Sequence, residues 1–178
     1  MKKGFENIRD VNRREYLKLV LEEVRKEFGV SLISFIVYGS VARGDDDKLS
    51  DVDVLLILDT SESYSERCSR LAKILTKIYA HKLTLKLIEE GYNVFIEFYP
   101  LSLNEALNFR PIYLDMVDDA VILYDKGVFE KIMFQLLKLF KQLGSRRIWL
   151  DKKTWFWELK PDIKFGEVIK YEFEHRAS

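Results

Sequence analysis

The chain has 178 residues, a length that suits one compact domain with a short appendage. Its 29 basic and 29 acidic residues cancel, which excludes a global field that would attract nucleic acid or an anionic membrane. The lone cysteine, Cys68, excludes an intramolecular disulfide, and the N-terminus lacks the apolar segment of a signal peptide. We therefore expect a soluble, cytoplasmic protein without a membrane partner, in which any contact with nucleic acid would need a local basic patch.

Hydrophobic spacing predicts helices that alternate with short β-branched and aromatic strands. In chain order, the patterns predict a helix over 12–28, strands over 32–38 and 52–58, a long helix within 65–90 that can break near residue 81, a strand over 92–99 that a proline stops, short helices after 102 and 111, a strand over 120–124 and a helix over 129–143. The expected fold is α/β (α+β), with a mixed central β-sheet flanked by helices. We expect residues 1–125 to form the main domain and residues 126–178 to form a C-terminal helix with an aromatic-rich extension.

A glycine-rich turn follows the first predicted strand, in the sequence YGSVARG of residues 38–44. Gly39 lets the chain turn sharply and lets a ligand approach the backbone. The next residues can form a helical turn whose free N–H groups bind an anion, with the Ser40 hydroxyl as a further donor. Arg43 could add a bidentate phosphate contact. An ordinary strand-to-helix turn has the same pattern, so this segment alone leaves both interpretations open.

Asp51 and Asp53 stand at the start of the second predicted strand. Residues two apart in a strand point to the same face, so these carboxylates lie close and repel each other unless a cation lies between them. Hard oxygen ligands suit Mg²⁺, which also binds substrate phosphates. The alternative is a solvated strand end, but the turn at residues 39–40 favours a metal site. The acidic residues 45–47, which lie between this turn and Asp51 in the sequence, are expected to be solvated.

Glu97 is an acid within the otherwise apolar segment 94–99. A buried carboxylate is costly unless it is paired or bound to metal. If this strand lies beside the strand over 52–58, Glu97 completes a cluster of three carboxylates, which could hold a metal ion and accept the proton of an attacking hydroxyl. A salt bridge across the sheet, or a carboxylate at an exposed edge, is the alternative.

The turn at residues 39–44 together with residues 50–53 (SDVD) resembles the signature of the DNA polymerase beta-like nucleotidyltransferase superfamily, and most of all its minimal nucleotidyltransferases, over residues 17–124. The resemblance implies a pair of Mg²⁺ ions held by Asp51, Asp53 and a third acid, which we assign to Glu97. It also implies that a hydroxyl attacks the α-phosphorus of a nucleoside triphosphate (NTP) and that pyrophosphate leaves. The transferred group is expected to be AMP. The nucleotide-binding residues implied are Gly39, Ser40, Arg43 and Ser50.

This chain differs from the pattern of the superfamily in two ways. The third acid is a glutamate where many small members have aspartate, and a separate domain for the acceptor is missing. Minimal members are often encoded beside a HEPN-type partner protein and act as antitoxins. The resemblance therefore implies an alternative function, an antitoxin-like module that binds, and could nucleotidylate, a HEPN-type partner.

The segment 146–157 mixes cations with aromatic side chains, including Lys152 and Lys153. Three interpretations are open: packing on the same domain or in a homodimer, binding of a different protein, and binding of a single-stranded nucleic acid. The alternation of Trp155, Trp157 and Leu159 favours a strand that packs on its own domain or on a second copy.

Overall fold

The computed structural model describes residues 1–151, 154–169, 171 and 173. Its strands are β1 (Lys2–Lys3), β2 (Leu32–Tyr38), β3 (Val52–Leu58), β4 (Ile96–Ser102), β5 (Val121–Asp125), β6 (Arg146–Trp149) and β7 (Trp155–Glu158). Its helices are α1 (Val11–Phe28), α2 (Gly39–Arg43), α3 (Tyr64–Tyr79), α4 (Lys82–Glu89), α5 (Leu103–Ala106), α6 (Tyr113–Asp119) and α7 (Val128–Leu143). Within these ranges, no helix is both long and apolar enough to cross a membrane.

Five strands form one mixed sheet in the order β1-β5-β2-β3-β4. The central strand β2 is antiparallel to both of its neighbours, β3 and β5, whereas β4 is parallel to β3 and β1 is parallel to β5. Strands β2 and β3 are joined only by the short α2 and a loop, so the end of β2 lies beside the start of β3. The prediction of a mixed sheet flanked by helices is confirmed.

Helices cover both faces of the sheet. On one face, α1, α3 and α4 pack against alternate residues of β3 such as Val52 and Val54. On the other face, α5, α6 and α7 pack against Leu55 and Ile57. Because side chains alternate along a strand, Asp53 belongs to this second face, the one that carries α6 and α7.

The helix boundaries follow from the residues that cap them. Asp10 caps α1, where its side chain accepts a hydrogen bond from the Arg13 N–H. The long helix predicted within 65–90 breaks where a break was expected, since the His81 side chain caps a second helix, α4. Ser102 and Glu105 form the predicted capping box, which starts α5.

The predicted strand over 92–99 is wrong at both ends, because β4 begins at Ile96 and continues through Pro100 to Ser102. The carbonyl of Phe95 accepts from the Val52 N–H at 3.0 Å, so the odd-numbered residues of β4 turn their backbone groups toward β3. The even-numbered Pro100 therefore has its nitrogen on the outer side of an edge strand, where its missing N–H removes no bond of the sheet.

The C-terminal segment forms a hairpin rather than a single strand. Strands β6 and β7 pair in antiparallel fashion, a pairing that the alternating pattern did not predict. Trp157 packs against Phe140 of α7 with ring centroids 4.7 Å apart and donates to the Leu114 carbonyl at 3.0 Å, as expected for a strand that packs on its own domain. Lys152 and Lys153 lie outside the described residues. The short N-terminal strand β1 was also not predicted.

Candidate active site

Three carboxylates meet at the start of the two parallel strands β3 and β4. Asp53 pairs with Glu97 across the strands, and Asp51 lies directly before β3 on the same face. One carboxylate oxygen from each of Asp51, Asp53 and Glu97 can be chosen so that all three lie within 4.8 Å of one another. The structure therefore brings together the three acids that the sequence singled out.

Glu97 differs from the prediction in its burial. It is exposed on the edge strand, so the argument that a buried carboxylate needs a metal does not apply to it. Its proximity to Asp51 and Asp53 comes instead from the register of two parallel strands, which sets Glu97 directly opposite Asp53.

The glycine turn lies against the acid at the centre of this cluster. Tyr38, the last residue of β2, pairs with Asp53, and Gly39 then turns away with φ of +69°. A Cβ atom at residue 39 would lie 2.0 Å from Oδ2 of Asp53, so only glycine fits. Ser40 follows in the first turn of α2, where backbone N–H groups have no partner within the helix. The glycine turn and the carboxylate of Asp53 therefore lie next to each other.

The charges in the cluster oppose one another. The pKa of the Asp53 carboxyl is raised to about 6 by burial first, and then by the negative charges of Asp51 and Glu97. The Arg43 guanidinium acts in the opposite direction on Asp53. A divalent cation would relieve this repulsion, and three carboxylates supply the hard oxygen ligands that Mg²⁺ prefers. The donor set therefore fits a magnesium site.

The two other predicted nucleotide-binding side chains differ in their contacts. Arg43 lies near the acids, with its Nε 3.2 Å from Oδ2 of Asp45, a surface contact that a phosphate could replace. The Ser50 hydroxyl is instead bonded to Asp47, since it accepts from the Asp47 N–H and donates to the Asp47 carboxylate. Asp47 also accepts from the N–H groups of Leu49 and Ser50. These contacts close the loop before β3 and give Ser50 a structural task.

Sequence patterns did not identify Asp115 as part of this region. It lies on α6, and its negative charge contributes to the raised pKa of Asp53. Burial raises the pKa of Asp115 itself, while Arg43 and Arg147 lower it. No local signal could have placed it here, because α6 and β3 are far apart in the sequence.

In the acidic loop before β3, Asp45 and Asp47 are exposed, as expected, but Asp46 is not. The side chain of Asp46 is 8% exposed and lies 3.9 Å from Nε of Arg13, a fully buried arginine of α1. Arg13 had a signal in the sequence, since it stands at helical spacing from the buried Leu17, Val20 and Val24. A cation in the apolar stripe of a helix indicates a buried partner.

A sequence profile for the nucleotidyltransferase domain matches residues 17–113, which include the turn and all three acids. The chain therefore belongs to the nucleotidyltransferase domain family and is an enzyme of the class that transfers nucleoside monophosphates. No curated protein matches the chain.

The solved structures that resemble the chain include two toxin–antitoxin structures, each at 12% identity. One is a toxin–antitoxin crystallised with AMP-PNP, at a TM-score of 0.48 over 71% of this chain and 88% of that chain. The other is the toxin–antitoxin MntA-HepT, at a TM-score of 0.41 over 75% of this chain and 88% of that chain. Similarities of this size do not carry an activity or a partner from one protein to another.

Proposed function

We propose that the protein is a magnesium-dependent enzyme that transfers a nucleoside monophosphate, with AMP as the expected group, from an NTP to a hydroxyl of an acceptor. The convergence of Asp51, Asp53 and Glu97 beside the Gly39 turn is the observation that supports this function. In this proposal, the three carboxylates hold the cation, and Ser40, Arg43 and the backbone of the turn bind the outer phosphates.

The proposed reaction forms one bond at phosphorus, breaks another and moves one proton. The acceptor oxygen forms a bond to the α-phosphorus, and the bond from that phosphorus to the bridging oxygen of the β-phosphate breaks. Pyrophosphate leaves, and the hydroxyl proton passes to a carboxylate. We assign this role to Glu97, because it is the exposed member of the three carboxylates. Bound Mg²⁺ would supply neutralisation of the phosphate charge, and the chain would supply positioning.

A labelling experiment tests this function. The chain is incubated with each α-³²P-labelled NTP, Mg²⁺ and an extract of the source cells, and labelled acceptors are separated. We expect a labelled product with wild type and none with Asp51→Asn or Asp53→Asn. Asp59→Asn is the matched control, because this exposed aspartate follows the opposite end of β3. Equal labelling by wild type and the site variants, or no labelling with any NTP, would refute the proposal.

A second candidate function is an antitoxin-like module that binds a HEPN-type partner protein. The observation that favours it is the hairpin of β6 and β7, which is held on α7 through Trp157 but exposes other apolar side chains. Trp149 is 53% exposed, Leu150 67% and Phe156 45%. Exposed aromatic residues on a fixed hairpin are typical of protein interfaces.

Calorimetric titration with a purified HEPN-type protein from the same source tests this candidate. We expect Trp149→Ala to weaken binding at least tenfold. Val30→Ala is the control, because Val30 is 88% exposed and lies before β2, away from the hairpin. If Trp149→Ala and Val30→Ala bind as wild type does, the hairpin is not the binding surface.

A further inference from the structure

Arg13 is a buried cation for which the reaction described above has no use. Its side chain is 1% exposed, and it lies in the first turn of α1. The guanidinium donates to the carbonyls of Asn93 at 2.6 Å and Ser50 at 2.5 Å, with longer bonds to Asp47 at 3.3 Å and Lys48 at 3.4 Å. Burial of a guanidinium is costly unless its donors have acceptors. These carbonyls hold the two terminal nitrogens of Arg13, while its Nε lies 3.9 Å from Oδ2 of Asp46.

These carbonyls belong to the two segments that lead into β3 and β4. Ser50 directly precedes Asp51, and Asn93 lies four residues before Glu97. The segments are also bonded to each other, because Asn93 donates its N–H to the Lys48 carbonyl and its side-chain amide to the Leu49 carbonyl at 3.0 Å. Arg13 thus contacts both segments just before the strands that carry the acids, β3 and β4.

We propose that Arg13 is a positioning residue for the cation site. Its guanidinium holds the segments before β3 and β4 at a fixed separation. It thereby sets the distance between Asp51 and Glu97, which bind the cation together. This inference rests on the proposed function, because the separation of the acids matters to activity only if they bind a cation together.

The geometry requires an arginine at this position. A planar guanidinium directs its donors at several acceptors at once, whereas the ammonium of lysine is a single point of charge on a flexible stem. One nitrogen of Arg13, Nη1, bonds the segment before β4, and the other, Nη2, bonds the segment before β3. A lysine could satisfy one segment and would leave the carbonyls of the other without a buried donor.

A second buried arginine supplies the matched control. Arg67 of α3 is also 1% exposed, and it donates to the Glu62 carbonyl and to the Glu105 carboxylate, each at 2.5 Å. Glu105 belongs to the capping box of α5, which directly follows β4, so it lies beyond the opposite end of this strand from Glu97. Arg67→Lys therefore disturbs a comparable buried network without touching the segments before β3 and β4.

The experiment compares wild type, Arg13→Lys and Arg67→Lys as full chains, with Mn²⁺ as the probe. Free Mn²⁺ is counted by electron paramagnetic resonance, at temperatures equally far below the melting point of each variant. We expect Arg13→Lys to weaken Mn²⁺ binding by about 10- to 100-fold, the range seen when a group supporting a metal ligand is removed. Arg67→Lys should bind Mn²⁺ as wild type does.

Amide hydrogen exchange in metal-free buffer gives a second readout that does not depend on activity. In Arg13→Lys, the amides of Asn93 and Val52, which bond between the two segments, should exchange faster than in Arg67→Lys. Asn93→Ala removes two exposed side-chain bonds, the one to the Leu49 carbonyl and the one from the Phe95 N–H, and should fold even if Arg13→Lys does not. We expect it to weaken Mn²⁺ binding by a smaller factor, of about threefold.

Two results would overturn the role of Arg13: equal Mn²⁺ affinity in wild type and Arg13→Lys, or equal losses in Arg13→Lys and Arg67→Lys. If Arg13→Lys does not fold, unchanged Mn²⁺ affinity in Asn93→Ala overturns it as well. A wild-type chain that binds no Mn²⁺ would overturn the proposed function, and the role of Arg13 with it. Failure of the role of Arg13 alone is distinguishable from failure of the proposed function, because in the former case the wild-type chain still binds Mn²⁺.

Discussion

Gly39 and Asp53 approach so closely that a Cβ atom at residue 39 would lie 2.0 Å from Oδ2 of Asp53. This proximity exists because the last residue of β2 pairs with Asp53, and the chain then turns at a positive φ. The turn that we assign to the phosphates and the acid that we assign to the cation are therefore in mutual contact, and neither can move without the other.

The first prediction concerns Gly39→Ala. The new methyl group must displace the Asp53 carboxylate, so labelling of the acceptor should fall by about 100-fold, as expected for a misplacement of about 1 Å. Gly127→Ala is the control, since Gly127 also has a positive φ, of +90°, but has no atom near its Cβ position. It should lose stability, about 1 kcal/mol, through backbone strain alone and keep its activity. Equal activity in both variants would contradict the close packing of turn and acid.

The second prediction concerns stability without metal. In buffer with EDTA at pH 7.5, Asp53→Asn should be more stable than wild type, because it removes one of the charges that repel one another in the cluster. The gain should be only about 1 kcal/mol, because the site is partly open to solvent, which screens the repulsion. Urea unfolding measures the difference. An Asp53→Asn variant less stable than wild type would show that the acids do not repel one another in the metal-free protein.

The third prediction concerns ligand binding. Mg²⁺ and ATP together, at about 100 times the dissociation constant, should stabilise the wild type by about 2.7 kcal/mol and raise its melting temperature by roughly 5–10 °C. Asp51→Asn should show a much smaller rise, while Asp59→Asn should match the wild type. Differential scanning fluorimetry with and without EDTA provides the comparison. A rise that persists in EDTA would show that the nucleotide binds without a cation.

The fourth prediction concerns pH and the start of α1. Burial of Asp10 opposes its ionisation, but hydrogen bonds from the Arg13 N–H and the Tyr92 hydroxyl outweigh it and lower the pKa of Asp10 below that of an ordinary aspartate. The stabilisation from this carboxylate is therefore present above about pH 4 and is lost as pH falls through the lowered pKa.

Asp10→Ala should accordingly cost about 1 kcal/mol at pH 7, the usual value of a helix N-cap. The difference from wild type in urea unfolding should shrink as pH falls below about 4 and through the lowered pKa of Asp10. Asp10→Asn keeps an acceptor for the Arg13 N–H and should lose less. A difference that stays constant with pH would show that the charge of Asp10 contributes nothing.

Much of the fold could be predicted from local patterns. The spacing of Leu17, Val20 and Val24 located α1, and the β-branched segments located β2 and β3 to the residue. The break at His81 was visible because apolar residues on its two sides follow different patterns. These elements are determined by their own sequences, with capping side chains only a few residues away.

Features that depend on distant partners could not be predicted in this way. The pairing of Asp53 with Glu97 depends on a register between strands more than 40 residues apart, and Pro100 is compatible with β4 only because β4 lies at the edge. The resemblance implies a nucleotide contact for Ser50, whereas in the structure its hydroxyl bonds to Asp47 and closes the loop. The spacing along α1 indicates that Arg13 is buried, but its acceptors are backbone carbonyls, which no sequence motif records.

The proline on the outer side of β4 has a consequence for how copies of the protein meet. A row of unpaired backbone groups along a sheet edge can recruit a strand from a second molecule and begin aggregation. On β4, that row is interrupted at Pro100, which offers a carbonyl but no donor. Before Pro100, the outer side of β4 offers both a donor and an acceptor only at Ile96 and Phe98, so an incoming strand would find few hydrogen bonds there.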